Sequence, residues 1–243
     1  MTTLLFARHG QASFGQKNYD KLSSLGAEQA TLLGQHYANT QRKIDAIVTG
    51  SLVRQQDSAT HFMNAYTPQE SSTLISADPT VIEELNEFNH KDVFIKLDPS
   101  FASEAGIMQA VAQAPVPKAR LAELFNDAMI RWHSGQHDED YLESWPQFNL
   151  RAQQALQKLM AHAEQQQAKN VLVFTSGGVI AAITAGLLNQ SSNNPSMTAY
   201  QINRSLINTG VTSVVLKGGT PRLLSLNEHS HLYHQGQSLV SWH

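Results

Sequence analysis

The chain has 243 residues, of which 41% are hydrophobic and 15% are charged, and its formal net charge is −3. This balance is typical of a soluble globular protein with a substantial core, and the negative charge argues against a general nucleic-acid-binding protein. Cysteine is absent, which excludes disulfides, thiolate metal sites and a cysteine nucleophile.

The apolar stretch in the N-terminal segment MTTLLFARHGQ is too short for a signal peptide. No apolar run elsewhere reaches the length of a membrane span. We therefore expect a cytoplasmic protein whose partners include neither a membrane nor nucleic acid.

Short apolar runs alternate with amphipathic segments in the first third of the chain. Strands are expected at 4–7 and 44–50, each followed by a helix, at 22–39 and 51–66. A third short strand is expected at 72–77.

The region from about 80 to 145 differs in its prolines and mixed polarity, which predict an insertion of short helices. The clearest of them spans 118–133. Long variable insertions commonly cover a functional site. We therefore predict one domain, 1–243, with a helical lid at about 80–145.

After the insertion, the pattern predicts a long helix at 148–167, a strand at 171–175 and an Ala/Ile-rich buried helix. Residues 212–226 predict a β-hairpin with Gly218-Gly219 at its turn. Strands that alternate with helices predict an α/β fold, a three-layer sandwich in which helices flank a mostly parallel central sheet.

Three of these strands end in polar corners, at Arg8-His9-Gly10, Gly50 to Arg54, and Thr175 to Gly178. Ligands bind at the carboxyl ends of strands in such sheets. A guanidinium matches phosphate oxygens, and a neutral imidazole can attack phosphorus and carry the phosphoryl group. The third corner lacks the G-x-S-x-G pattern of a nucleophile elbow and the lysine of a P-loop, so a wall of a phosphate pocket remains.

With these motifs the chain resembles the histidine phosphatase superfamily, the phosphoglycerate mutase-like group (branch 1). The segments that carry the resemblance are LLFARHGQASFG, YDKLSSLGAEQA (19–30), GSLVRQQDSA (50–59) and ELNEFNH (84–90). The resemblance implies that His9 is the phosphorylated nucleophile, with Arg8 and Arg54 beside the phosphate, and that Glu87 donates the proton. The residues it assigns to phosphate binding are Arg8, Gln11, Gly15, Arg54, Ser176 and Gly177.

One position departs from this family. VLVFTSGGVI is similar to the family's V-V-S-H-G-G-V-I strand and turn, and Ser176 stands where the second pocket histidine is expected. Losing one preorganised donor costs on the order of 10²–10³ in rate, and the serine hydroxyl with the Gly177 and Gly178 amides would limit that loss. A further hypothesis is that His231 or His90 completes the pocket.

The leading prediction is a phosphomonoester hydrolase that works through a phosphohistidine on His9, with a small phosphorylated molecule as substrate. It would need neither a metal ion nor an organic cofactor. Two alternatives stay open: a phospho-ligand sensor weakened in catalysis by Ser176, and, less favoured, a phosphoglycerate mutase, because FNHKDVF after Glu87 departs from the mutase pattern. The sequence is compatible with a homodimer but does not predict the oligomeric state.

Overall fold

A computed structural model describes residues 1–13, 20–66, 78–112, 114–188, 195–235 and 237–242, and in this part of the chain six strands form one sheet between helices. The strands are β1 (Thr2–Arg8), β2 (Ala46–Thr49), β3 (Thr80–Val81), β4 (Asn170–Thr175), β5 (Val211–Lys217) and β6 (Thr220–Glu228). The helices are α1 (Ser24–Asn39), α2 (Val53–Ala65), α3 (His90–Leu97), α4 (Glu104–Ala112), α5 (Pro117–His133), α6 (Trp145–Gln165), α7 (Gly177–Leu188) and α8 (Pro195–Ser205).

The described strands follow the order β3-β2-β4-β1-β5-β6. The first four run parallel, and β5 and β6 add an antiparallel hairpin beside β1. The register of β1 on β4 pairs Arg8 with Thr175, so these two strands end side by side. The predicted α/β sandwich with a mostly parallel sheet is confirmed.

Side chains of the central strands alternate between two cores. In β1, Leu4 and Phe6 belong to the larger core, which includes residues of α5, α6, α7 and α8. Leu5 and Ala7 belong to the second core, with residues of α1 and α2. Because both faces of the sheet are covered, these strands read as continuous apolar runs in the sequence.

Local signals fix the ends of several helices. Ser23 caps α1 through a hydrogen bond from the Gly26 N–H to its hydroxyl, 3.1 Å long. Ser144 and Gln147 form a reciprocal capping box at the start of α6. Helix α7 begins directly after Ser176 and is buried over most of its length, as its Ala/Ile-rich sequence predicts.

The strand expected at 72–77 falls on residues 67–77, which lie outside the described part of the chain. Beyond that segment, the two-residue strand β3 pairs with β2. The region from 80 to 145 contains α3, α4 and α5 as expected, and its function as a lid stays a prediction. Among the described residues, every helix is too short or too polar to cross a membrane.

Candidate active site

The three polar corners meet at the carboxyl edge of the sheet. Arg8 and Thr175 are paired, and the next residues along the two strands are His9 and Ser176. The His9 N–H donates to the Thr175 carbonyl at 2.8 Å. Gly50 follows the end of β2, and its N–H donates to the Phe174 carbonyl at 3.4 Å. The topology therefore brings the residues of all three motifs together.

His9 is buried and held in one tautomer. Arg54 Nε, which can only donate, lies 3.1 Å from His9 Nε2, so Nε2 accepts this hydrogen bond. The proton is then on Nδ1, which donates to the Gly10 carbonyl at 2.7 Å. Burial, followed by the charges of Arg54 and Arg8, holds the pKa of His9 well below its ordinary value of 6.5. The imidazole is neutral at neutral pH, with the lone pair of Nε2 directed at Arg54.

Arg54 is oriented by an acidic residue that the sequence analysis did not single out. Its Nη1 lies 2.6 Å from Asp20 Oδ1, while Asp20 Oδ2 accepts the Val53 N–H at the start of α2 over 3.0 Å. This carboxylate thus fixes both the guanidinium and the helix that carries it. The only sequence signal was the place of Asp20 in the segment 19–30.

Arg8 lies against the start of α7. Its Nη1 donates to the Leu206 carbonyl at 2.5 Å. A Cβ on Gly177 would lie 3.5 Å from Arg8 Nε and 2.4 Å from Asn203 Oδ1. A larger residue at this position would therefore displace the Asn203 side chain, and Asn203 is a second neighbour of the site that sequence reasoning missed.

Glu87 lies on the N-terminus of α7. Its Oε2 accepts the Gly178 N–H at 3.1 Å, and its Oε1 accepts the Phe88 N–H at 3.2 Å. A Cβ on Gly178 would lie 2.3 Å from Glu87 Oε1 and 3.0 Å from the Phe88 ring, so a larger residue there would displace the Glu87 carboxylate. Burial raises the pKa of Glu87 above its ordinary value of 4.5, against the opposite effects of these N–H groups and of Arg54 and Arg8.

At the third corner, two groups that were expected to donate to phosphate have partners within the protein. The Gly178 N–H, expected to bind phosphate, donates to the Glu87 carboxylate instead. The Ser176 hydroxyl is fully buried and accepts a hydrogen bond of 2.8 Å from Gln55 Nε2. Gln55 follows Arg54 in α2 and was not singled out in the sequence.

The remaining predicted site residues lie at the margins of this cluster or away from it. Gln11 Oε1 accepts a hydrogen bond of 3.0 Å from Ser23, at the start of α1. His90 begins α3, where burial, then Arg54 and Lys91, lower its pKa to about 4. His231 Nε2 lies 2.9 Å from Thr209 Oγ1, and its ring is 6.2 Å from that of His36. Gly15 lies outside the described residues.

No group of three or more metal-binding side chains forms within the described ranges. Among the described residues, this edge carries the guanidiniums of Arg8 and Arg54. Opposite them are one neutral imidazole and one carboxyl with a raised pKa. Such a set can bind a phosphate dianion, attack phosphorus and transfer a proton.

Comparisons with known proteins agree with the observed fold and identify the family. The model of the histidine phosphatase superfamily (branch 1) matches residues 4–93 and 115–229. A comparison with curated protein sequences gives no match.

Three solved structures illustrate the similarity in fold. A phosphoglycerate mutase from Bacillus anthracis is 19% identical, with a TM-score of 0.62 over 95% of this chain and 94% of that one. A phosphoserine phosphatase from Entamoeba histolytica, in complex with 3-phosphoglyceric acid, is 20% identical, with a TM-score of 0.60 over 96% of this chain and 100% of that one. An alpha-ribazole phosphatase from Shigella flexneri is 20% identical, with a TM-score of 0.57 over 94% and 97%.

Proposed function

The chain belongs to the histidine phosphatase superfamily (branch 1), and on that premise we propose that it hydrolyses small phosphomonoesters through a phosphohistidine on His9. The observation that carries this proposal is the state of His9: a buried, neutral imidazole whose Nε2 lone pair lies next to Arg54. A neutral nitrogen with a fixed lone pair is what nucleophilic attack on phosphorus requires.

In the first step, a phosphoryl group binds between Arg8 and Arg54. Arg54 Nε then donates to a phosphoryl oxygen instead of to His9, which releases the Nε2 lone pair for attack. The bond from Nε2 to phosphorus forms as the ester P–O bond breaks, and Glu87 transfers its proton to the leaving alcohol. The Gly10 carbonyl accepts the Nδ1 proton throughout and so stabilises the charge that develops on the ring.

In the second step, the Glu87 carboxylate removes a proton from a water molecule. The water oxygen attacks phosphorus, the P–N bond breaks, and its electron pair returns to His9 Nε2. Inorganic phosphate leaves, and both His9 and Glu87 regain their starting protonation states. Charge on the phosphoryl oxygens is met by the two guanidiniums, the Gly177 N–H and the Ser176 O–H, so the cycle needs no metal ion.

The test is hydrolysis of p-nitrophenyl phosphate in the presence of EDTA. We expect turnover by the wild type and a loss of roughly 10⁵-fold in His9→Ala, because that variant lacks the nucleophile. His162→Ala, a change to a histidine on α6, is the matched control and should keep the wild-type rate. An alkaline quench after reaction with ³²P-labelled ester should retain label on the wild type only. Equal rates in wild type and His9→Ala would contradict the proposal.

A second candidate, a phospho-ligand sensor, is favoured by the serine at position 176 and its bond to Gln55. A sensor would bind phosphate esters without becoming labelled on His9. The labelling experiment separates the two functions, and an assay of phosphoglycerate interconversion on the same preparation tests for mutase activity.

A further inference from the structure

Gln55 joins α2 to the turn that precedes α7. Its Nε2 lies 3.0 Å from the Leu85 carbonyl oxygen and 2.8 Å from Ser176 Oγ. Gln55 and Ser176 are both fully buried. Gln55 also follows Arg54 directly, so two successive residues of α2 contact His9 and Ser176, respectively.

The direction of the hydrogen bond to Ser176 follows from its neighbour. The Leu85 carbonyl can only accept, so the atom of Gln55 that faces it must be the amide nitrogen. That nitrogen has two protons, of which one goes to Leu85 and the other to Ser176 Oγ. The serine oxygen is therefore the acceptor, and its own proton must point away from Gln55.

In the described part of the chain, the Ser176 hydroxyl accepts this bond and donates none. A fully buried donor without an acceptor lowers the stability of the fold by about 1–3 kcal/mol, unless a bound ligand accepts its hydrogen bond. Ser176 lies beside His9 at the edge where β1 and β4 end. Gln55 Oε1 is also buried without a hydrogen-bond partner among the described residues, so this pair is not arranged for its own stability.

We propose that Gln55 is a positioning residue that turns the proton of Ser176 toward the phosphoryl oxygens. Without Gln55, the Ser176 hydroxyl would rotate and point its proton at the phosphoryl oxygens only part of the time. With Gln55 in place, the neutral hydroxyl is a fixed donor. This inference rests on the proposed function, because it assumes that a phosphoryl group binds next to His9.

The experiment is a double-mutant cycle with Gln55→Met, Ser176→Ala and the double variant. Methionine is close to glutamine in size but cannot donate. We expect each single variant to lower kcat for p-nitrophenyl phosphate by about 10- to 100-fold, with little change in KM, since the donor acts on charge that develops in the transition state. The double variant should be no slower than the slower single one. Independent effects that multiply in the double variant would overturn the inference.

Gln153→Met is the matched control, because Gln153 Nε2 also donates to a backbone carbonyl of α7, that of Ala182, at 3.2 Å. This variant should keep the wild-type kcat. If Gln55→Met does not fold, Gln55→Glu replaces it: the carboxylate accepts the serine proton and should lower kcat as much when the serine is present, but should have no further effect when combined with Ser176→Ala. Wild-type kcat in folded Gln55→Met or Gln55→Glu would overturn the inference.

Binding of vanadate, which mimics five-coordinate phosphorus, gives a readout independent of turnover. Its Kd, measured by calorimetry, should weaken by about 10- to 100-fold in both single variants and no further in the double. If the wild type binds vanadate but hydrolyses no ester, the proposed function fails while the vanadate cycle still decides the position of the serine proton. Equal Kd values in all four proteins would overturn the inference.

Discussion

The two walls of the candidate site are built by different physical means. The charged wall consists of Arg8, His9 and Arg54, with Asp20 behind them, and a short ion pair orients it. The neutral wall consists of Ser176, Gly177 and Gly178, with Gln55 behind them, and contributes only N–H and O–H dipoles at the start of α7.

Under the proposed function, this difference would explain how the site tolerates a serine in the neutral wall. The guanidiniums of the charged wall attract a phosphate dianion at a distance, whereas dipoles act only at hydrogen-bond contact. Removing a guanidinium of the charged wall should therefore alter both binding and catalysis. Changes in the neutral wall should alter mainly catalysis, provided that the close packing around its glycines is kept.

Glu87 gives the largest test of this comparison, because it lies on the neutral wall and faces the charged one. Glu87→Gln should lower kcat by about 10²–10⁴-fold for an alkyl phosphate, whose leaving group needs a proton. The loss should be smaller for p-nitrophenyl phosphate, whose phenolate leaves readily. Glu83→Gln, a change to an exposed residue of the same segment, should leave both rates unchanged.

The dependence of activity on pH tests the roles of Glu87 and His9 separately. In the proposed mechanism Glu87 acts first as an acid, so activity should fall as pH rises through its raised pKa. His9 acts unprotonated, so activity should fall as pH drops through its lowered pKa. Activity of the wild type should therefore decline on both sides of a pH optimum, and Glu87→Gln should lose the alkaline decline. Equal losses on both esters with an unchanged profile would rule out this assignment.

The charged wall was the easier one to predict from sequence. Arg8 and His9 adjoin at the end of an apolar run, and Arg54 follows the next strand, so local patterns and the rule for parallel sheets were enough to bring them together. The fold followed from the same alternation of runs. By contrast, α8 was not predicted, although its few apolar residues recur with helical spacing in an otherwise polar sequence.

The neutral wall depends on contacts between residues far apart in the sequence. Gln55 and Ser176 are separated by 121 positions, and Glu87 and Gly178 by 91. The sequence marks Gly178 as a phosphate donor because it opens a helix, but only the tertiary structure shows that a carboxylate occupies its N–H. A single sequence holds no signal for such pairings, since it does not show which distant residue each side chain contacts.

Ser176→His would sharpen the comparison by placing a charge-bearing ring in the neutral wall. Position 176 is fully buried and Gln55 lies in contact, so an imidazole must displace it. We expect Ser176→His to lower the free energy of unfolding by about 1–3 kcal/mol, measured in urea, through overpacking. Adding Gln55→Ala should recover stability, while Gln55→Ala alone should not exceed the wild type. Full stability of Ser176→His alone would show that the neutral wall is not closely packed.

Asp20→Asn addresses the charged wall with the smallest expected effect. Asparagine keeps an acceptor for the Val53 N–H but removes the charge that orients Arg54, and the exposure of Asp20, 33% for its side chain, limits the loss. We expect kcat for p-nitrophenyl phosphate to fall about tenfold without a rise in KM, because the released guanidinium still attracts phosphate. Asp140→Asn, which breaks the solvent-exposed pair with Arg131, is the control and should leave kcat unchanged. If Asp20→Asn instead raises KM at constant kcat, the ion pair serves binding rather than catalysis, which would contradict this account of Asp20.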